Sequence, residues 1–122
     1  MAITVALVIM AARFWIARRG SYLLGLDVAS LGTPGHATVL YFYTNSCGAC
    51  RTEQKPTLQR LVAQDSNVVV REIDAVTERK LAKRFRVLTV PTTVVLDHMG
   101  HVVAINNGVA DQRTLQEQIC PG

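Results

Sequence analysis

Cys47-Gly48-Ala49-Cys50 constrains this chain more than any other feature, because it joins an apolar run at residues 38–43 to a stretch with helical spacing of Leu58, Leu61 and Val62. Two thiols at this spacing on a strand-to-helix junction form a reactive pair. The first sits where unpaired N–H groups and the positive end of the helix dipole favour thiolate over thiol. The second lies within one turn of it, close enough to close a disulfide. The same spacing supplies half of many zinc sites, so the four residues alone leave redox and metal chemistry both open.

Context comes from Thr89-Val90-Pro91-Thr92, which opens a second β-branched run through Val94, Val95 and Leu96. Proline cannot donate to a central ladder. It is tolerated at a strand's first residue, and a cis peptide bond before it is one arrangement that resolves the conflict. The CxxC and the proline, in this order and at this spacing, resemble the thioredoxin superfamily, in which a cis-proline loop faces a redox CxxC at the first turn of a helix. The resemblance covers residues 38–119. Pro56 is similar to the proline that kinks the family's active-site helix, Gly100 to its hairpin glycine, and Gly108 to the glycine ending the next strand.

The chain also departs from the family. Ser46 stands where thioredoxins usually carry tryptophan, Ala49 where they carry proline, and Tyr41 where they commonly bury an aspartate that takes a proton from the second cysteine. A phenol, with a reference pKa of about 10, is a poor base at neutral pH. Glu53, Glu72 or a water are the candidates to replace it.

Periodicity predicts strands at residues 21–26, 38–43, 68–73, 92–96 and 102–106, and helices at 50–64, 77–85 and from Asp111 to the C-terminus, with Asp97-His98-Met99-Gly100 as a hairpin turn. Strand, helix, strand, helix, hairpin and helix is an α/β order with helices on both faces of one sheet. The expected architecture is therefore a thioredoxin-like fold, a central mixed β-sheet flanked by helices, preceded by an N-terminal hydrophobic helix.

That helix is the second distinct feature. With 122 residues, 49% of them apolar, the chain has room for one domain, residues 20–122, and a leading segment, residues 1–19. Residues 2–17 are apolar apart from Thr4 and Arg13 and reach about 24 Å as a helix, somewhat under the hydrocarbon thickness of a bilayer. Arg13, Arg18 and Arg19 fall at the C-terminal end of this run. A cleaved signal carries its charge before the apolar core, and Phe14 and Trp15 between arginines suit a membrane interface better than a buried or surface helix of the soluble domain, so of the three readings the expected one is an N-terminal membrane anchor. The positive-inside tendency then puts the domain in the cytoplasm, with the extracytoplasmic face as the alternative. Of the 13 Lys/Arg, these three account for most of the excess over 9 Asp/Glu, so the basic pI of the chain implies no nucleic-acid partner.

The resemblance implies a thiol-disulfide oxidoreductase without cofactor. Cys47 is the expected nucleophile and Cys50 the resolving thiol, acting on disulfide-containing protein substrates and recharged by a thiol donor. Ser46, Gly48, Ala49, Val90, Pro91 and Gly108 are the expected substrate contacts, with Val90 offering backbone groups to an extended segment. Two alternatives stand beside it: an extracytoplasmic disulfide reductase serving cytochrome maturation or oxidative folding, and a non-catalytic module that binds a partner or a metal. For a metal, His36, His98 and His101 are the only histidines available to complete a site with the cysteines, and none forms a closely spaced pair with Cys120. Cys120 reads as a packing residue or a frayed terminal thiol, and the basic run Arg79, Lys80, Lys83, Arg84, Arg86 as a solvated face.

Overall fold

The computed structural model describes residues 28–120. The strand expected at 21–26 and the hydrophobic segment 1–19 lie outside the described residues. Among the described residues, no helix is long and apolar enough to cross a membrane.

Among the described residues, four strands form one sheet in the order β2-β1-β3-β4: β1 is Ala37–Tyr43, β2 Val68–Asp74, β3 Thr92–Leu96 and β4 Val102–Asn107. β1 runs parallel to β2 and antiparallel to β3, and β3 is antiparallel to β4. The continuous apolar character of β1 follows from burial on both sides. Val39 and Tyr41 point to one face, where they meet Leu58 and Leu61 of helix α1 (Lys55–Gln64) and Leu115 of helix α3 (Gln112–Ile119). Leu40 and Phe42 point to the other, against Ala82 of helix α2 (Arg79–Arg84) and Phe85, whose ring centroid lies 5.8 Å from that of Phe42.

The helices differ locally from the expected elements. The first helix begins with a π-helical turn, Cys50–Gln54, before it becomes α-helical at Lys55; the Lys55 N–H reaches back to the Cys50 carbonyl, one residue further than in an α-helix. Pro56, with no N–H to offer, falls in the first turn of the α segment, where prolines are tolerated. Helix α2 starts at Arg79 rather than at residue 77, because the Asp74 carboxylate accepts from the Val76 and Thr77 N–H groups and holds residues 75–78 as a turn. Val62, expected on the core face of α1, is 39% exposed at the rim of a groove.

The β3–β4 hairpin sits at the end of the sheet away from the CxxC. Asp97 Oδ1 accepts from the Met99 and His101 N–H groups, both at 2.9 Å, and Gly100 takes φ +84°. A Cβ at Gly100 would lie 2.5 Å from Ala29 Cα, so the absence of a side chain is what lets residues 28–31 dock there, with the Val28 N–H on the Gly100 carbonyl at 2.9 Å.

Candidate active site

β1 ends at Tyr43, and the chain turns through Thr44, Asn45 and Ser46 so that Cys47 leads into the first helix. The Cys47 N–H donates to the Thr44 carbonyl at 3.2 Å. Cys47 and Cys50 are joined as a disulfide, with Cα atoms 5.3 Å apart. The two sulfurs are not equivalent. Cys50 is 1% exposed, whereas Cys47 is half-buried, so a reagent from solvent meets Cys47 first. The Cys50 N–H donates to Cys47 Sγ at 3.1 Å. A backbone donor aimed at that sulfur, at the start of a helix, stabilises negative charge on it when the bond opens.

Tyr41, on β1 beneath the helix, donates its hydroxyl to the Cys50 carbonyl at 2.9 Å. Burial, then the Glu72 carboxylate and Tyr43, push its pKa up to about 12. Tyr41 is therefore a neutral donor near neutral pH, holding the π-turn from below, and not a base. Beside it lies a cavity of about 450 Å³ lined by Tyr41, Tyr43, Cys50, Arg51, Lys55 and Glu72. Glu72 faces Tyr41 across the β1–β2 pairing, and its carboxylate is 3.6 Å from Lys55 Nζ. Both carboxylates expected near the thiols are exposed, and of the two Glu72 lines this cavity. A larger, mostly apolar groove of about 650 Å³ runs along β2 and α1 past Leu58, Val62 and Val68 and includes neither cysteine.

The remaining sequence-selected residues gather on two other loops. The Val90-Pro91 peptide is cis, and Pro91 is buried immediately before β3. Thr92 closes that loop by donating its hydroxyl to the Thr89 carbonyl at 2.7 Å. Val90 and Cys47 pack against the same core cluster. Gly108, at φ +96°, donates its N–H to the Pro91 carbonyl at 2.8 Å, which ties the loop after β4 to the loop before β3. Gly48 is exposed with no atom within 4 Å of where a Cβ would stand, Ala49 is half-buried, and Ser46 is exposed with its hydroxyl 3.4 Å from that of Thr44.

Gln54 escaped the sequence reading. It is fully buried, and its carboxamide pairs with both backbone groups of Ala110: Nε2 donates to the carbonyl at 3.0 Å and Oε1 accepts from the N–H at 2.8 Å. A signal existed, since Gln54 falls on the same helical stripe as Cys50, Leu58 and Leu61, where a polar residue needs a partner.

The histidines are remote from the sulfurs in the fold. His98 and His101 belong to the hairpin turn, with His101 Nδ1 3.6 Å from Asp97 Oδ2. Among the described residues, no group of three or more His, Cys, Asp or Glu side chains could hold a metal ion. Cys120 is exposed and outside any disulfide, so of its two expected roles packing is excluded.

An unequally buried cysteine pair at a helix start, with a cis-proline loop on a mixed sheet, defines a thioredoxin-like dithiol protein. The thioredoxin family model matches residues 29–120, and the chain belongs to that family. Among solved structures it is similar to the germline-specific thioredoxin Deadhead of Drosophila melanogaster, at 32% identity over 68% of this chain and 77% of that one, with a TM-score of 0.60. It is also similar to a single-substitution mutant of a thioredoxin from Halobacterium salinarum, at 28% identity over 70% and 73%, with a TM-score of 0.62. A chain in the structure describing thiol resolution of yeast mitochondrial 1-Cys peroxiredoxin by the glutathione and thioredoxin systems matches at 25% identity over 70% and 77%, with a TM-score of 0.61. No curated protein sequence matches the chain. The protein is a thiol-disulfide oxidoreductase of the thioredoxin family with a redox CxxC.

Proposed function

We propose that Cys47 is the attacking thiol and Cys50 the resolving thiol in the reduction of protein disulfides. The observation that carries this assignment is the asymmetry of the pair: Cys47 is reachable and receives the Cys50 N–H, while Cys50 is 1% exposed. The Cys47 thiolate attacks one sulfur of a substrate disulfide, forming a mixed disulfide and releasing the other sulfur as a thiolate. Cys50 loses its proton and attacks Cys47 Sγ. The substrate then leaves with both sulfurs reduced, and the Cys47-Cys50 disulfide remains. A thiol donor returns the pair to its reduced form. That the yeast structure concerns a peroxiredoxin resolved through a thioredoxin system supports protein disulfides as the substrate class.

Ser46, Gly48, Ala49, Val90, Pro91 and Gly108 form the contact surface in this reading. Gly48 and Ala49 leave the sulfur sterically open, and Val90 offers its backbone to an extended segment. Residues 2–17, with Arg13, Arg18 and Arg19 at their end, tether the domain to a membrane, and the charge bias favours the cytoplasmic side.

Cysteine-to-serine variants test the assignment of roles. Cys50→Ser is expected to accumulate a mixed disulfide with reducible protein substrates, visible as a thiol-sensitive adduct by mass spectrometry, and Cys47→Ser to form none through Cys50. Adducts trapped on Cys50 instead would reverse the roles.

A further inference from the structure

We propose that Gln54 is a positioning residue that sets the third wall of the substrate cleft and so governs reaction with protein disulfides selectively. The inference rests on the reading that Cys47 exchanges with protein disulfides.

Three loops surround the sulfurs, and hydrogen bonds link them in series. The Gly108 N–H on the Pro91 carbonyl joins the loop after β4 to the loop before β3, at 2.8 Å. The CxxC helix is joined to that same β4–α3 loop by the Gln54 carboxamide, through two hydrogen bonds to Ala110 at 2.8 and 3.0 Å. Residues 50–54, Ala110, Gly108 and Pro91 thus form one continuous track around the site.

Gln54 meets the geometric demand as few side chains can. An amide presents one donor and one acceptor side by side, which matches the N–H and C=O of a single residue. The π-turn sets where that amide falls, because Gln54 is its last residue and four positions beyond Cys50. Gln54 is 0% exposed and Ala110 is 5% exposed, so no solvent is at hand to replace either bond. The loop held in this way carries Val109, which is 46% exposed beside Gly108. A small disulfide needs only Cys47 Sγ, whereas a polypeptide lying across the site also touches the loop walls. Misplacing a wall therefore harms the polypeptide reaction more.

The test compares insulin reduction with reduction of a small aromatic disulfide, dithiobis(nitrobenzoate), in the full chain. Gln54→Leu is expected to raise KM for insulin about tenfold while leaving the small-disulfide rate within about twofold of wild type. Gln54→Glu adds a pH readout. A protonated carboxyl keeps one donor and one acceptor and is expected to restore the wild-type insulin KM at acidic pH. Its carboxylate, facing the Ala110 carbonyl, is expected to raise KM as pH increases.

A Gln54 with a purely structural role would lower both activities together or neither, at every pH, and that result would overturn the proposal. Hydrogen exchange of the Ala110 amide in the wild-type protein needs no variant. Protection comparable to amides of β3 supports the clamp, and exchange as fast as in an exposed loop would overturn it. Wild-type protein inactive on both disulfides would instead defeat the functional reading, and this inference with it, a result distinct from an unchanged ratio in the variants.

Discussion

Replacing Tyr41 by Phe removes one hydroxyl from the floor of the site and should change stability with a sign that depends on pH. At pH 8 the loss is the hydrogen bond from the phenol to the Cys50 carbonyl at 2.9 Å. That carbonyl keeps the Lys55 N–H, so no buried acceptor is left bare, and the cost is about 1 kcal/mol. The phenol's pKa is pushed up to about 12 in the folded protein by burial, with Glu72 and Tyr43 adding to it, against about 10 in the unfolded chain. A raised folded value means stability that is fully present below pH 10 and is lost as pH rises toward 12. At pH 11 the unfolded phenol is mostly ionised and the folded one is not, which costs the wild-type protein about 1.4 kcal/mol that the Phe variant never had to lose. The variant should therefore be less stable than wild type by about 1 kcal/mol at pH 8 and slightly more stable, by about 0.4 kcal/mol, at pH 11. Urea titrations of both oxidised proteins at several pH values measure this, and the other tyrosines cancel in the difference. A difference that stays constant from pH 8 to 11 would refute the buried, hydrogen-bonded phenol.

Further substitutions, at Gly100, Gly35 and Asp97, probe the far end of the sheet. Gly100→Ala should cost about 2–4 kcal/mol in chemical denaturation, since its Cβ would stand 2.5 Å from Ala29 Cα at a positive φ, while Gly35→Ala, also at positive φ but with open space, should cost only about 1 kcal/mol; equal costs would contradict the close approach. Asp97→Ala should lose about 1–3 kcal/mol at pH 7 through the freed Met99 and His101 N–H groups, with Asp97→Asn recovering part of it. Burial works against the Asp97 carboxylate, but those two N–H groups, aided by His101 and His98, hold its pKa below the usual range. The wild-type advantage is therefore present above about pH 4 and fades as pH falls through the depressed value, which acid unfolding of the pair measures.

The central strands and the reactive pair were legible because each leaves a mark in the local sequence. β1 and β3 are β-branched or aromatic runs long enough for a strand and too short for a helix, and the CxxC and Pro91 are residue types with few uses at such positions. Features created by contact between distant segments were not legible. At the π-turn, Tyr41 reaches up from β1 to the Cys50 carbonyl that the Lys55 N–H also uses. The late start of α2 depends on which backbone groups the Asp74 side chain takes, and periodicity does not encode that competition. Gln54 became meaningful only when its partner was seen to be the backbone of Ala110, 56 positions away. Tyr41 was legible as a missing acid but not as a donor, because its partner is a main-chain carbonyl that carries no sequence signal.

The central claim is that Cys47 and Cys50 form a reversible disulfide used for exchange. Its most direct test is the thiol-disulfide equilibrium of the purified full chain, acid-trapped across dithiothreitol and glutathione redox buffers and read by mass spectrometry. The expected result is a single two-electron transition between the dithiol and the Cys47-Cys50 disulfide, with Cys120 outside the pair and Cys47 alkylated before Cys50 in the reduced form. Failure to form that pair at any poise, or a stable disulfide through Cys120 in its place, would contradict the claim.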